Sequence, residues 1–499
     1  MAPFFLGGEM KKLIRIVAAS AIALILFASC ATTSNVDESA GAKTEVAEKS
    51  VKAEKPAKHK KKKFDQKAYD AAFEAGDYET CLAMLNGKKP DKEDLIKDML
   101  DENMLMYILK DYTCAGKGFL ETYSAMQQLS SEMTAGDVMK ASFARETSVT
   151  YSGAEYERYL AWSMRLSSAM NLHQTDVAKG IMNDYVGTFM QEIQELREKN
   201  RQSAEESAKK LESDEFANAQ NKLASSGARV NTSNKPKAGK ETYENSKFFN
   251  YLGTLAYALN DDFEHAQQFA STYGVSNVNE VINVPKGKGR LEVVALSGII
   301  GKRSDSGEGQ EAEGMSINVG GNLVPLYSKI VYPVFKPQEH LINNVRVTLS
   351  DDSKATALLI EDFDKAVEID VNQKAPGAYS RSVFRNVVKN STATASVIAA
   401  GVGLQNAKGN KVALTIAKIA FDAAVNAAAK AVISAEAADT RQGEYFPHKA
   451  SAAGFSVAPG TYNVKIEYLH DNAVVETKTI ENVVVKEGKL NVVVSSCEK

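Results

Sequence analysis

The chain has 499 residues, 44% of them hydrophobic and 25% charged, which is a globular composition and enough length for two or three cores. Its 60 basic and 63 acidic residues leave a net charge of −3, so no overall field gathers nucleic acid and any partner must be sought in local features. One Trp and six His weigh against an aromatic sugar groove and against a multi-His metal centre.

Read from Met10, "MKKLIRIVAASAIALILFASC" sets Lys11, Lys12 and Arg15 ahead of an apolar core, Ile16 to Phe27, with small residues before Cys30. That is the plan of a secretory signal, too short for a membrane span of about 20 apolar residues, and residues 1–9 read as an upstream-start artefact. Phe27-Ala28-Ser29-Cys30 resembles the bacterial lipobox, in which the cysteine is acylated and becomes the first residue of the mature chain. The resemblance implies a signal peptide over 1–29 and a membrane anchor of acyl chains, palmitate among them, on Cys30. Each buried methylene contributes about 0.8 kcal/mol, so three chains anchor stably. Ala31 in place of Asp after the cysteine looks like sorting to the outer membrane, with the body on the periplasmic side.

Residues 30–64 are rich in Ser, Thr, Ala, Glu and Lys and too poor in apolar residues to fold, so they read as a flexible tether reaching about 30 Å. Lys58, Lys60, Lys61, Lys62 and Lys63 offer a contact to anionic lipid or cell-wall polymer at about 1 kcal/mol each, or else a solvated spacer.

Helical periodicity begins at Lys67. "AYDAAFEAGDYETCLAMLNG" places Gly76-Asp77-Tyr78 between two amphipathic stretches and resembles a tetratricopeptide-type hairpin, with Cys81 as the small residue packed between helices. A looser copy, Tyr251 to Ser271, puts Asp261 where Gly is usual and Ala266 at the small position. Cys81 and Cys114 are near enough in sequence to pair, although the hairpin pattern makes Cys81 a buried thiol. An α-solenoid-like helical repeat domain is expected over residues 65–280, with a charged protruding helix or hairpin at 191–223.

After Pro285 the texture is β-branched and alternating. "RLEVVALSGII", "LVPLYSKIVYPVF", "NVRVTLS", "GTYNVKIEYLH", "AVVETKTIENVVVKEG" and "KLNVVVSS" read as strands, with turns at Asp471-Asn472 and Glu487-Gly488. The expected class is therefore α+β, a β-sandwich-like domain over 281–499 following the helical one. An alanine-rich helical insertion at 385–440, apolar on more than one face, is expected to be buried on two sides; Lys418, Asp422 and Lys430 argue against a membrane-inserting hairpin.

Two short patterns stand out. They are Tyr151-Ser152-Gly153-Ala154-Glu155-Tyr156-Glu157-Arg158, and the stretch containing Asp439, Arg441, Pro447, Pro459 and Gly460. Both resemble an uncharacterised family of bacterial envelope lipoproteins, whose members join a tetratricopeptide-like helical half to a β-rich C-terminal half. The resemblance implies architecture and envelope location, and no activity. Physically, Glu157, Arg158, Asp439 and Arg441 suit charge-assisted bonds that lock helices to a sheet, and Pro459-Gly460 suits a turn before a strand.

No H-E-x-x-H, C-x-x-C or G-x-S-x-G occurs, and the glycines from Gly401 to Gly409 lack phosphate-loop spacing. No cofactor, metal or catalytic residue is expected. The reading is a non-enzymatic, lipid-anchored scaffold of the cell envelope that binds another envelope protein. Its alternatives are a regulator of a peptidoglycan synthase, and an enzyme or ligand carrier with its site between the two halves.

Overall fold

The computed structural model describes residues 64–132 and 142–499, apart from Ala238, Asn277, 309–310, Gly320, Asn410 and 434–435. The signal, Cys30 and the lysine run at 58–63 lie outside the described residues.

Helices come first, as pairs joined by one kind of turn. The pairs are α1 (Gln66–Glu74) with α2 (Tyr78–Asn86), α3 (Leu95–Ile108) with α4 (Tyr112–Glu132), α5 (Glu155–Asn171) with α6 (Thr175–Asp184), and later α9 (Lys247–Leu259) with α10 (Phe263–Tyr273). Each first helix ends at a residue with left-handed φ: Gly76 (74°), Lys110 (65°), His173 (54°) and Asp261 (58°). The next residue's N–H then reaches back to the first helix, as from Asp77 to Ala72 O, Asp111 to Met106 O, Gln174 to Ala169 O and Asp262 to Tyr257 O. These bonds satisfy carbonyls that a helix end would otherwise leave open. Asp77, Asp111 and Asp262 also cap the second helix by accepting from the N–H of Thr80, Cys114 and His265.

The third residue after each second helix begins is small and fully buried: Cys81, Ala115, Ala178 and Ala266. A small side chain there lets the two helices approach closely. Cys81 and Cys497 are buried free thiols.

The charged segment expected to protrude forms α7 (Met190–Lys210) and α8 (Asp214–Ser225) and does not stand free. Phe216, Ala219 and Leu223 join one apolar cluster with Tyr379, Val383 and Phe384, and Ile193 and Leu196 are buried as well, so a few apolar positions dock an otherwise charged hairpin. A short α11 (Val278–Ile282) leads into the strands.

Two four-stranded sheets follow. In one, β1 (Gly289–Ser297) pairs in parallel with β12 (Leu490–Cys497) and antiparallel with β9 (Lys449–Val457), which pairs with β8 (Leu358–Asp362). The other has the order β11 (Ala473–Val485), β10 (Gly460–His470), β6 (Asn344–Leu349) and β7 (Lys354–Thr356). Two small hairpin-like pairs add β2 (Lys302–Asp305) with β5 (Pro333–Lys336), and β3 (Glu313–Val319) with β4 (Asn322–Ser328).

Alternation decides which face each residue takes. Leu291, Val293 and Ala295 of β1 share a core with Val345, Val347, Val464 and Ile466 of the second sheet. Their neighbours Glu292, Val294 and Leu296 are buried as well, and Glu292 accepts a hydrogen bond from Tyr251 of α9 at 2.7 Å. The first sheet thus lies against helices on one face and the second sheet on the other. Residues Gln66–Lys499 form one compact unit.

The alanine-rich insertion is longer than expected. Helix α12 runs from Phe363 to Asn406, through Pro376, and α13 from Lys411 to Ile433. Its burial corrects the sequence reading. On α13 the stripe Ala413, Ala417, Phe421, Ala424 is partly covered, whereas Val412 (70% exposed), Ile416 (64%) and Ile419 (64%) form a second stripe in solvent. Over residues 411–426 of α13 one side is covered, not two, whereas 385–391 of α12 are buried nearly all round.

Candidate functional site

The two motifs meet. Tyr151 precedes α5, and Glu157 and Arg158 lie in its first turn, while Asp439 and Arg441 belong to the segment between α13 and β9. Glu157, wholly buried, accepts three hydrogen bonds: from the Tyr151 hydroxyl, from Ala154 N at 2.6 Å, and from Gly443 N at 2.7 Å, 286 residues away. The Ala154 bond closes the helix start, as a glutamate three residues in does elsewhere. Burial, together with the Glu157 charge, pushes the Tyr151 hydroxyl well above its ordinary pKa, so it stays protonated and donates.

Arg158 is equally buried. It donates to Glu192 Oε1 (2.6 Å), Ser130 Oγ (2.6 Å), Ser152 O (2.9 Å) and Met126 O (3.1 Å), tying α5 to α4 and α7. Arg441 forms a two-bond pair with Asp439 (2.8 and 2.9 Å) and donates to Glu93 O (2.7 Å) and Val149 O (2.9 Å), with its guanidinium 5.2 Å from the Tyr151 ring centre. Arg303 of β2 stands 5.5 Å from the Tyr156 ring centre and pairs with Asp370 at 2.5 Å. Although burial raises a carboxyl's pKa, Lys374 and Arg303 hold Asp370 below the usual range. Deeper along α12, Arg385 bridges Glu146 and Glu436, both at 3.0 Å.

Gly153 sits at φ +82°, a left-handed backbone that favours glycine, and a Cβ there would fall 2.7 Å from the terminal methyl of Met126, which would have to move. Pro447 is buried just before β9, whereas Pro459 and Gly460 form the exposed turn between β9 and β10. Beside the seam opens a cavity of about 720 Å³, lined by Tyr151, Gly153, Arg303, Arg381, Asp439 and Arg441 among others. A larger hollow of about 1060 Å³ lies between α9, β8 and β9, with Tyr251, Arg290, Glu292 and Glu361 on its walls.

One cluster escaped the sequence reading. His340, between β5 and β6, Asp364, at the start of α12, and His448, just before β9, bring one ligand atom each to within 4.8 Å of the others. Their separation in sequence left no spacing to notice.

Compared with known proteins, the chain matches no family model, no curated protein and no solved structure.

Proposed function

We propose that this chain is a non-enzymatic, lipid-anchored interaction module of the cell envelope, held to the outer membrane through Cys30 and facing the periplasm. The resemblance of residues 10–30 to a lipoprotein signal supports the address. Four helix pairs with one turn geometry support the repeat-like reading of the N-terminal part, and two sheets sharing a core support the sandwich-like reading of the C-terminal part.

The observation that carries the reading is the second apolar stripe of α13. Val412, Ile416 and Ile419 recur at helical spacing and stand exposed, an arrangement that monomeric proteins seldom leave uncovered. Lys411, Lys418 and Asp422 flank the stripe with charges of both signs, which suits a protein surface better than a hydrocarbon interior. No described helix is long and apolar enough to cross a membrane. A peptidoglycan synthase is one partner of this kind.

The motif residues serve the module by holding its parts together, since their charged groups are spent on one another. A ligand carrier or enzyme with its site between the halves is the second reading, favoured by the 720 Å³ cavity. The lining charges are already paired, Arg381 with Glu146, Arg303 with Asp370 and Arg441 with Asp439, so a charged ligand must displace an ion pair to bind.

A photo-cross-linking residue placed at Ile416 in living cells tests the reading. Adducts to an envelope protein, absent when the probe sits at exposed Glu264 of α10, are the expected result. Equal labelling at both positions, or none at Ile416, defeats it.

A further inference from the structure

We infer that the exposed stripe of α13 receives one amphipathic α-helix of a partner protein, with acidic residues flanking that helix's apolar seam. This rests on the reading of the stripe as an interaction surface and adds what the surface is shaped and charged to hold.

The shape comes from spacing. Val412, Ile416, Ile419 and Ala423 are exposed and follow one another at intervals of four, three and four residues. That alternation is the spacing of a coiled-coil seam, narrower than the apolar face a helix turns to a globular core. The other side of α13 is already docked, since Phe421, Ala424 and Val425 pack against the cluster that holds Val383, Phe384 and Val397. Ala420 borders the seam, and so small a side chain lets a second helix approach closely. A seam of this kind fits a helix laid along it. A lipid interface instead takes up a helix by a broad apolar face, which Thr415 and Asp422 on the seam's border interrupt.

The charge comes from a bias in composition. From Val371 to Phe421 the sequence has no acidic residue, where 63 in 499 would place about six. The cations of this stretch fall into two groups. Nearer the body, Lys374 pairs with Asp370, Arg381 with Glu146, and both Arg385 and Lys389 with Glu436, at 2.8 to 3.7 Å. Lys408, Lys411 and Lys418, around the turn between α12 and α13, are exposed and join no ion pair among the described residues.

Lys411 and Lys418 lie two helical turns apart, so both fall on one flank of the seam. Their stems can lie along apolar surface while the ammonium groups reach a neighbour. A partner helix carrying Asp or Glu at the same interval along one edge meets both. A second copy of this chain would set one lysine-bearing, acid-free hairpin end against another, and like charges facing each other repel. In paired helices the apolar seam supplies affinity, and flanking charges set partner choice and orientation.

The test uses cells carrying the full chain with a photo-cross-linking residue at Ile416, followed by sequencing of the attached peptide by mass spectrometry. The expected segment has apolar residues at alternating three- and four-residue intervals with at least two Asp or Glu alongside. K411E/K418E should lower the adduct yield about 10-fold or more at an unchanged melting temperature, and K411R/K418R should retain it. The attached sequence is read without those variants, so it decides even where one of them fails to fold. An adduct to a protein segment lacking the pattern or to a second copy of this chain, or a yield that K411E/K418E leaves unchanged, overturns the inference while the stripe stays an interaction surface. Lipid adducts alone, or no adduct, remove that reading together with the inference.

Discussion

Glu157→Gln is the sharpest probe of the seam, because it changes one atom pair and nothing in volume. The carboxylate accepts from Tyr151, Ala154 and Gly443 in full burial. An amide offers one acceptor atom. Turned toward Tyr151 and Ala154, it points its NH₂ at the Gly443 N–H and leaves a buried donor unsatisfied, at about 1–3 kcal/mol. The two bonds it keeps become neutral, each falling from about 1.5–3 to about 1 kcal/mol. Relief from burying a charge returns part of this, for a net loss of about 3 kcal/mol. Urea unfolding followed by Trp162 fluorescence and far-UV circular dichroism measures it, and the two signals must coincide for a free energy to be read. Tyr151→Phe removes one donor and should cost about 1 kcal/mol, and the double variant should cost less than the sum. If Glu157→Gln lies within about 0.5 kcal/mol of the wild type, the network is not what joins the two motifs.

Gly153→Ala should destabilise by about 2 kcal/mol or more, since it strains a left-handed backbone and drives a methyl into Met126; a thermal melt at or above the wild type would contradict that. Asp101 is wholly buried; burial, reinforced by Glu444 and opposed by Lys97, pushes its pKa up to about 7. A carboxyl whose folded value is raised holds its proton more tightly when folded, so its contribution is full below about pH 4 and is lost as pH rises toward 7. Relative to Asp101→Asn, the wild type should therefore lose stability across that window, as urea midpoints at pH 4.5, 5.5 and 7 would reveal, and a gain would reverse the sign of the argument. Cys30→Ser should move the chain from the membrane fraction to the soluble fraction or leave it uncleaved, and unchanged fractionation would remove the lipid anchor from the proposal.

What could be read in advance depended on whether a feature's cause was local. The helix pair at Gly76 is legible because glycine suits such a turn, and the pair at Asp261 is legible from Ala266 at the small position although Asp stands where Gly is usual, while Lys110 and His173 carry no such mark because those residues rarely take positive φ. The transferable signal was the buried small residue three places into each second helix, at Cys81, Ala115, Ala178 and Ala266, which is a packing requirement and so recurs where turn residues vary. Glu157 and Arg441 were visible as unusual residues, but their meeting is tertiary and spacing carries no trace of it. The histidines at 340 and 448 are a harder case of the same kind, since nothing local to either residue marks the other.

The α13 hairpin shows the reverse error. Periodicity reports where a helix is apolar, and apolar residues on two faces were read as cover on two faces. Cover has to come from some other element, and among the described residues Ile416 and Ile419 stand largely exposed. At about 25 cal/mol per Å² of apolar surface removed from water, a stripe of three branched side chains keeps several kcal/mol available for binding. Under the proposed function, association with a partner is what would cover that stripe, and the pattern of α13 would then agree with its surroundings.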